Sequence, residues 1–405
     1  MSPDPLADAR TRFSALPAPH PCCVASVAIP ARNERSRIGR ALAALAAQRD
    51  RTGRALDPAT YEIIVFANGC SDDTEYAARR FAHDHPGCAL FVVSAPAGEA
   101  AARHIGAARG AVMTACAQRM LDRHGAVLTT DADSVASPDW ILESVAALRS
   151  ADAVCGRIVL DRRESSELEP GARALHDLRT RYDFALARLE DAFDPLPADP
   201  WPRHAQHFGA SFGLRASAYV RVGGVPPCDH LEDVALYRAL VRTDARVRHS
   251  MRVRVTTSPR LRARVAGGLA TFLNDLNDRA CRGRTLLCEH PETTYETLAA
   301  RGALRRWWSA RGRSSAAGSL RVADRELVSD LFAMDEAAWH RYVDRSFTFG
   351  AAFADAYEHA LAHGFGAKRD PVPMAEAVCV LDAQARALRA SASSPTRRTA
   401  RSGAG

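Results

Sequence analysis

Short apolar runs alternate with segments of helical periodicity between residues 24 and 134, and no other feature constrains the fold as strongly. The runs are short and bounded by turn-forming or polar residues, which predicts buried strands. The predicted strands are 24–29, 61–66, 90–93 and 127–130. The predicted helices are 35–48, 74–83 and 99–118. Strands that alternate with helices favour an α/β fold, with a mostly parallel sheet covered by helices on both faces.

Polar segments follow three of these strands, at residues 30–34, 68–73 and 131–134. Open parallel sheets bind their ligands outside the carboxyl ends of the strands, so we expect the three segments to meet at one edge. The chain has neither a Gly-x-Gly-x-x-Gly segment nor a Gly-x-x-x-x-Gly-Lys segment. The usual dinucleotide-binding and NTPase phosphate loops therefore lose support.

Two carboxylates one residue apart, Asp131 and Asp133, come directly after the strand predicted at 127–130. Alternate residues of an extended chain point the same way, so both carboxylates should face one side. Like charges held together are unfavourable unless a cation or hydrogen-bond donors neutralise them. Hard oxygen ligands favour Mg²⁺ or Mn²⁺, which usually keep substrate phosphates as further ligands. The pair predicts a metal–diphosphate platform; the alternative is that both residues cap the helix predicted to start at 137–140.

The composition is that of a soluble globular protein. With 405 residues, of which 47% are hydrophobic and 25% charged, the chain can bury a large core. At about 150 residues per domain, two or three domains are expected. No apolar run approaches the roughly 20 residues of a membrane span, and residues 1–21 lack the apolar core of a signal peptide. We therefore expect a cytoplasmic protein, with export by another route left open.

Cysteine spacing and charge argue against two further classes. The ten cysteines are scattered without a Cys-x-x-Cys pair, so neither a zinc site nor a secreted disulfide framework is indicated. The formal net charge of +7 suits anionic ligands, but the arginines that carry it are spread along the chain. A nucleic-acid partner is therefore not expected.

Four sequence blocks, taken in order, resemble family-2 glycosyltransferases with the GT-A fold. They are VAIPARNE (27–34), IIVFANGCSDDT (63–74), TDAD (130–133), and a fourth that runs from GASF (209–212) through VGG (222–224) to HLED (230–233). The resemblance implies a GT-A glycosyltransferase domain over residues 22–260. It also implies a nucleotide-diphosphate sugar as donor, and Mn²⁺ or Mg²⁺ held by the Asp-x-Asp pair.

By this resemblance, the first two blocks hold the nucleotide. Pro30 would stop the strand, and Arg32, Asn33 and Glu34 would present polar groups to the nucleoside. The alternative is a turn that caps the first predicted helix. An acid that the family often has at this point is replaced here by Ala67 or Asn68, and the Asn68 amide can still donate and accept hydrogen bonds at a base edge. The identity of the nucleotide stays open for this reason.

Two more segments would complete the donor and acceptor sites. The resemblance implies that Arg103 reaches the diphosphate, where a planar cation fits well. A lone arginine on a helix is equally suited to a solvated surface. The small residues Gly209, Ala210 and Ser211 would let an acceptor approach the backbone, and a tight turn is the alternative.

The acidic pair Glu232 and Asp233 is predicted to carry the chemistry. Transfer of a sugar to a hydroxyl requires the acceptor to lose its proton, and a carboxylate within hydrogen-bond reach can take it. By the resemblance Asp233 is that base, while Glu232 orients the acceptor or the helix start. The alternative is that both are first-turn acids, favoured by the dipole of the helix predicted at 234–241.

The sequence thus predicts a metal-dependent hexosyl transfer by single displacement with inversion. Two alternatives stay open: a retaining transferase of the same fold, in which Asp233 is not a base, and a nucleotide- or glycan-binding scaffold of this fold without turnover. A small molecule, a glycan or a lipid-linked compound could serve as acceptor. A convincing Gln-x-x-Arg-Trp motif is absent, as is a membrane span, which favours a non-processive enzyme.

Beyond residue 260 the chain becomes rich in arginine and alanine, and a helical subdomain is predicted for 261–390. Trp307 and Trp308 stand among arginines. This arrangement suits packing on the main domain, or contact with a membrane interface, a carbohydrate or a protein, so a peripheral membrane contact stays open. Residues 1–21 are predicted to be flexible and residues 391–405 to be disordered.

Overall fold

The computed structural model describes residues 7–95, 104–121, 124–161, 163–164, 168–228, 230–261, 268–311, 318–367 and 369–393, with the backbone alone at 7–10, 318–320 and 392–393. The chain divides into two compact units. The first unit comprises residues 1–169 and 206–278, and the second comprises 170–205 and 279–405. The segment 170–205 thus belongs to the second unit, although the first domain was predicted to span residues 22–260. The limits of that domain stay a prediction.

The described part of the first unit is built on an eight-stranded sheet. Its strands are β1 (Ala25–Ala31), β2 (Tyr61–Asn68), β3 (Leu90–Ala95), β4 (Ala126–Thr130), β5 (Ser134–Ala136), β6 (Ala153–Leu160), β7 (Ser211–Arg215) and β8 (Val247–Thr257). Their order across the sheet is β3-β2-β1-β4-β7-β6-β8-β5. The first four are parallel neighbours, and β6 is parallel to β8, whereas β7 is antiparallel to β4 and β6, and β5 to β8. This arrangement confirms the predicted α/β class with a mostly parallel sheet.

Helices connect the strands and continue beyond the sheet. In chain order they are α1 (Ala7–Ser14), α2 (Ile38–Ala46), α3 (Thr74–Asp84), α4 (Ile105–Met120), α5 (Trp140–Ala147), α6 (Pro170–Phe193), α7 (Ala216–Arg221), α8 (Glu232–Arg242), α9 (Leu269–Cys281), α10 (Pro291–Ala310), α11 (Gly318–Phe332), α12 (Glu336–Trp339), α13 (Phe349–Ala362) and α14 (Met374–Ser393). The helix predicted at 35–48 is shorter at both ends than expected, as α2 shows.

The sheet is buried on both faces, which explains why its central strands are uninterrupted apolar runs. Along β2, Ile64 and Phe66 lie in one buried cluster with Met113 of α4. Ile63 and Val65 lie in a second cluster, together with residues of α2. Alternate side chains of one strand therefore point to opposite faces of the sheet, each covered by helices.

The prediction that Pro30 ends the first strand is wrong. β1 continues through Pro30 to Ala31, and Pro30 lies opposite Phe66 of β2. The neighbouring strand β4 pairs with β1 only as far as Ala28. Proline has no N–H to donate to a ladder, and here it stands beyond the last pair that β1 forms with β4.

The amino-terminal segment 1–21, predicted to be flexible, contains α1 in its described part. The Phe13 side chain is buried, and its ring lies 5.3 Å from the ring of Phe66. Arg12 donates a hydrogen bond to the backbone carbonyl of Ser94 in β3. Few side chains of the segment take part in this packing, and the composition of the segment does not reveal them.

The second unit is helical in its described part, apart from an antiparallel pair formed by β9 (Leu287–Cys288) and β10 (Val372–Pro373). Phe332 and Trp339 are fully buried in its core, among residues of α10, α11 and α13. Helix α14 buries Met374 and Leu381. It extends through Ser393, so the first residues of the tail predicted at 391–405 are helical, and the rest lie outside the described residues.

The two adjacent tryptophans pack inside the second unit. Trp307 makes an edge contact with Trp339 at a ring distance of 5.0 Å, and Trp308 makes one with Phe349 at 6.4 Å. Arg311 covers the Trp308 ring at 3.6 Å from its centroid. Aromatic and cation–π contacts of this kind explain the arginine–tryptophan run as internal packing. In the described part of the chain, no helix has the length and apolar character needed to cross a membrane.

Candidate functional site

The carboxyl ends of three neighbouring strands carry most of the predicted donor-site residues. Asn33 and Glu34 follow β1, Asn68 is the last residue of β2, and Asp131 and Asp133 follow β4. Because β2, β1 and β4 are adjacent and parallel, these residues share one edge of the sheet. The structure therefore places them together, as the order of strands in the sequence led us to expect.

Hydrogen bonds tie the loop after β1 to the loop after β2. Asn33 has a left-handed backbone with φ of 55°, a conformation that asparagine tolerates better than most residues. Its Nδ2 donates to Ser71 Oγ at 3.0 Å, and its Oδ1 accepts from the Ser71 N–H at 2.8 Å. The Glu34 N–H donates to Thr74 Oγ1 at 2.6 Å. Asn33 thus holds the two loops in register rather than capping α2.

Asn68 is buried, with 3% of its surface exposed, and within the described structure its Oδ1 has no hydrogen-bond partner. Leaving a buried acceptor unpaired costs about 1–3 kcal/mol. A ligand that donates an N–H to this oxygen would recover that free energy. The residue that replaces the family's acid is therefore the one with an open hydrogen-bonding position.

Asp133 and Glu34 share one arginine, Arg260, which follows β8. Its Nη2 lies 2.8 Å from Asp133 Oδ2 and 2.8 Å from Glu34 Oε1, and its Nη1 donates to Glu34 Oε2 at 3.0 Å. Burial opposes the charge of Arg260, but the two carboxylates outweigh burial and raise its pKa. Arg260 is not among the residues that the sequence predicts for the site, and it is separated from Glu34 by 226 residues.

The carboxylates after β4 fit a divalent cation in charge and ligand type. Burial, together with the nearby charge of Asp131, raises the pKa of Asp133 to about 7. Both causes disfavour the ionised form of Asp133, whereas a bound cation would favour it. Among the described residues no group of three His, Cys, Asp or Glu side chains could hold a metal by itself. A cation here would need oxygens from substrate or water as further ligands.

The capping alternative for Asp131 and Asp133 does not describe their contacts. Helix α5 begins at Trp140, and Asp139 occupies its N-cap position. Asp131 instead accepts from Arg109 at 2.8 Å, and Asp133 pairs with Arg260. Both carboxylates are therefore engaged by arginines at the edge of the sheet.

Arg109 of α4 lies at the centre of the site. Its guanidinium is buried and donates to Glu232 Oε1 at 2.8 Å, to Asp131 Oδ1 at 2.8 Å, and at 3.0 Å to both Thr129 Oγ1 and the Gly209 carbonyl. Burial alone would lower the pKa of Arg109, but the charges of Asp131 and Glu232 outweigh it and raise the pKa. Arg109 is not among the residues that the sequence predicts for the site. The available signal was an arginine on the apolar face of a helix, three and four residues before Val112 and Met113.

Glu232 and Asp233 form the first turn of α8, as the helix-dipole alternative predicted. Both are largely buried, however, and Asp233 is held by two backbone donors. Its Oδ2 accepts from the Gly209 N–H at 2.7 Å, and its Oδ1 accepts from the Val234 N–H at 2.8 Å. Burial raises the pKa of Asp233; Arg109 counteracts this rise and Glu232 adds to it. A buried carboxylate with a raised pKa is a reasonable proton acceptor near neutral pH.

The segment predicted to bind the acceptor divides into two parts. Gly209 contacts both Arg109 and Asp233 through its backbone, and the Ala210 carbonyl accepts from Thr130 Oγ1 at 2.8 Å. The Ser211 side chain is buried, and its Oγ accepts from the Trp140 indole N–H at 2.9 Å. The Ser211 hydroxyl therefore faces the interior. The prediction that an acceptor approaches this segment is left with the backbone of Gly209 and Ala210.

Three other predicted residues have separate positions. Pro30 is buried within β1, and Arg32 is exposed beside the site. Arg103 lies outside the described residues. Their assignments stay predictions.

Two solved structures illustrate what the fold resembles. A mannosyltransferase, PcManGT from Pyrobaculum calidifontis in complex with GDP-Man and Mn²⁺, is 17% identical, with 96% of this chain and 93% of that chain covered and a TM-score of 0.39. Residues 1–349 of S. aureus TarS in complex with UDP-GlcNAc are 12% identical, with coverages of 84% and 92% and a TM-score of 0.41. None of the curated proteins matches the sequence.

The chain has an α/β fold in which acidic side chains gather at the carboxyl edge of the sheet. Residues 26–195 match the family described as Glycosyl transferase family 2. This match confirms the resemblance seen in the sequence for that part of the chain. The match ends before Glu232 and Asp233, so the assignment of these two residues rests on their geometry.

Proposed function

We propose that the protein is a nucleotide-sugar-dependent glycosyltransferase that moves one hexosyl group to an acceptor hydroxyl. The observation that carries this proposal is the connection of two acidic groups through one buried cation. Arg109 contacts Asp131 on the donor side and Glu232 beside Asp233 on the other side. A transfer reaction needs both functions next to each other: a place for the leaving diphosphate and a base for the attacking hydroxyl.

On the donor side, the strand ends offer complementary groups for a nucleotide. Asn68 has an acceptor without a partner, suited to an N–H of a base. Asp131 and Asp133 would hold Mg²⁺ or Mn²⁺, whose charge stabilises the leaving diphosphate. Arg260 lies beside Asp133 and is close enough to the same position to contribute a further positive charge.

On the acceptor side, Asp233 takes the proton of the attacking hydroxyl. As that hydroxyl oxygen bonds to the anomeric carbon, the bond from this carbon to the diphosphate oxygen breaks, and its electron pair leaves with the nucleoside diphosphate. The N–H groups of Gly209 and Val234 fix the carboxylate of Asp233. A base so placed supports single displacement, which inverts the anomeric centre.

Two alternatives are separated from this proposal by experiment. A retaining transferase of the same fold would return the donor's own anomeric configuration. A binding scaffold would bind nucleotide sugars without hydrolysis or transfer, and the substitution of Asn68 for an acid favours that alternative. The acceptor can be a small molecule, a glycan or a lipid-linked compound under any catalytic mechanism.

A screen against nucleotide sugars tests the proposal. Thermal unfolding is followed with UDP-, GDP- and dTDP-sugars, each with and without Mn²⁺, because a ligand raises stability with its concentration over its dissociation constant. The best donor is then assayed for hydrolysis, for transfer to simple alcohols and glycosides, and for the product anomer. Asp133→Asn is compared with Asp139→Asn, a control at the start of α5 whose carboxylate accepts from Ser137. We expect turnover to be lost only in Asp133→Asn. Binding without any turnover would favour the scaffold, and neither binding nor turnover would refute the proposal.

A further inference from the structure

Arg109 joins three segments of the chain in the described site through one side chain. Its hydrogen bonds reach Thr129 and Asp131 at the end of β4, Glu232 at the start of α8, and the carbonyl of Gly209 between them. A planar guanidinium presents its donors in a fixed fork, so four acceptors in these positions fix one orientation. The geometry of the donor side thus depends on the same group as the start of α8.

The contact extends to Asp233 through one residue. Gly209 accepts from Arg109 with its carbonyl and donates to Asp233 Oδ2 with its N–H. A Cβ at position 209 would lie 2.6 Å from Cζ of Arg109 and 2.8 Å from Nε, so this residue must be glycine for the guanidinium to stay where it is. Any movement of Arg109 would therefore be transmitted to the backbone that holds Asp233.

Helices α4 and α8 are also in direct contact at this point. A Cβ at Gly106 would lie 3.0 Å from Cβ of Glu232. The close approach brings Glu232 within reach of Arg109, one turn further along α4. Glu232 is buried and would lose its cation if the arginine were removed, which is strongly unfavourable.

We propose that Arg109 is a positioning residue that sets the base Asp233 relative to the donor-side carboxylate Asp131. This inference rests on the proposed function and deepens it. Arg109 itself touches neither substrate; it acts through Asp131 on one side and through Gly209 and Glu232 on the other. Donor binding and proton transfer are thereby aligned by a single side chain.

Two variants perturb this alignment in different ways. Arg109→Lys keeps the charge but replaces the fork by a single ammonium, which cannot contact all four acceptors. Gly209→Ala leaves Arg109 intact but forces its guanidinium to move. Gly39→Ala is the control, because a Cβ at Gly39 in α2 meets no atom within 4 Å. Circular dichroism and thermal unfolding establish that each variant is folded at the assay temperature.

The test compares the effect of each variant on kcat with its effect on the dissociation constant of the donor. In both variants kcat should fall about 10²-fold, as expected for a catalytic group misplaced by about 1 Å, whereas the dissociation constant of the donor with Mn²⁺ should change by less than about fivefold. Arg109→Gln adds a pH readout, since it removes the cation that lowers the pKa of Asp233 while Glu232, which raises it, stays. The acid limb of kcat should move to higher pH in Arg109→Gln and stay in place in Arg109→Lys.

The outcomes separate this inference from the proposed function. Normal transfer by the wild type, with unchanged kcat in folded Arg109→Lys and Gly209→Ala, would overturn the positioning role alone. A defect confined to donor binding would also overturn the positioning role. The same holds for a kcat that falls by an equal factor at every pH in Arg109→Gln. A wild type that transfers no sugar from any donor would overturn both the positioning role and the proposed function.

Discussion

Arg260 and Asp133 form an ion pair of 2.8 Å at the carboxyl edge of the sheet, although they are contributed by segments after β8 and β4. The same guanidinium is held by both oxygens of Glu34. A monovalent side chain thus stands next to the carboxylate that the proposed function assigns to a divalent cation. The two positive charges would repel each other at this distance, so their binding to Asp133 should be coupled.

The first prediction follows from this coupling. Removing the charge with Arg260→Gln should tighten Mn²⁺ binding in the absence of nucleotide, on the order of tenfold, which corresponds to about 1.4 kcal/mol. Isothermal titration calorimetry with Mn²⁺ alone measures the effect. Arg246→Gln is a matched control, because Arg246 pairs with Asp152 at the other end of β8. Weaker Mn²⁺ binding in Arg260→Gln would show that the arginine supports the cation instead of opposing it.

A second prediction concerns Asp133 itself. Asp133→Ala should abolish sugar transfer and leave the fold intact, because a buried carboxylate next to Asp131 is an electrostatic cost that the sheet does not need. Transfer rates at saturating Mn²⁺ and the thermal unfolding curve measure the two effects. Near-normal rates in Asp133→Ala, with the usual response to Mn²⁺, would disprove the metal platform.

For Asn68, the unpaired Oδ1 separates ligand binding from stability. Asn68→Ala removes an acceptor that has no described partner, so the free energy of unfolding of the ligand-free protein should not fall through loss of a hydrogen bond at that oxygen. The binding free energy of the nucleoside diphosphate should become less favourable by about 0.5–1.5 kcal/mol, the value of one hydrogen bond. Calorimetry with the nucleoside diphosphate and chemical denaturation measure the two quantities. An unchanged affinity for the nucleoside diphosphate would show that its nucleobase does not bind at Asn68.

The fourth prediction concerns Asp233. Asp233→Asn keeps the size of the side chain and removes the proton acceptor, so donor and metal binding should stay near wild type while transfer slows by about 10²–10⁴-fold. Glu232→Gln should have a milder effect on transfer, and its stability should be measured beside it. Substantial turnover in Asp233→Asn would exclude the base assignment, and a retained anomer would exclude inversion.

The pH dependence of the wild type gives a further test of Asp233. Burial raises its pKa, so the carboxylate is protonated at pH values where an ordinary aspartate is ionised. Transfer requires the ionised form, and therefore the acid limb of kcat should lie above the usual range of aspartate pKa values. The measurement is kcat as a function of pH in the complex with saturating donor. An acid limb at the ordinary aspartate pKa would argue against Asp233 as the titrating base.

The grouping of polar residues at one edge of the sheet could be predicted from the sequence, because polar residues mark the end of each apolar run. The apolar runs at 61–66 and 127–130 are buried on both faces, and the polar residues that follow them are placed by strand order alone. The prediction that the first strand ends at Pro30 was wrong, because the neighbouring strand β4 stops pairing with β1 before Pro30. That difference in strand length is a property of the sheet and cannot be seen in the local sequence.

The arginines of the site could not be assigned in the same way. Arg109 meets Glu232 across 123 residues, and Arg260 meets Glu34 across 226 residues. The chain has 54 lysines and arginines, and their spacing does not show which of them meet the carboxylates at the edge of the sheet. A similar limit applies to segment 170–205, which leaves the first unit and returns to it at residue 206. Pairings over such separations depend on the completed fold.

The contact of Phe13 with Phe66 has a practical consequence for any shortened form of the protein. Cutting the chain at residue 22, where the family-like region begins, would remove α1 and uncover an aromatic ring on β2 that is now buried. Exposing a large apolar side chain costs about 1.5–3 kcal/mol and creates a surface prone to self-association. The strand so uncovered ends in Asn68. A fragment trimmed in this way would report weakened nucleotide affinity for reasons unrelated to the amide of Asn68.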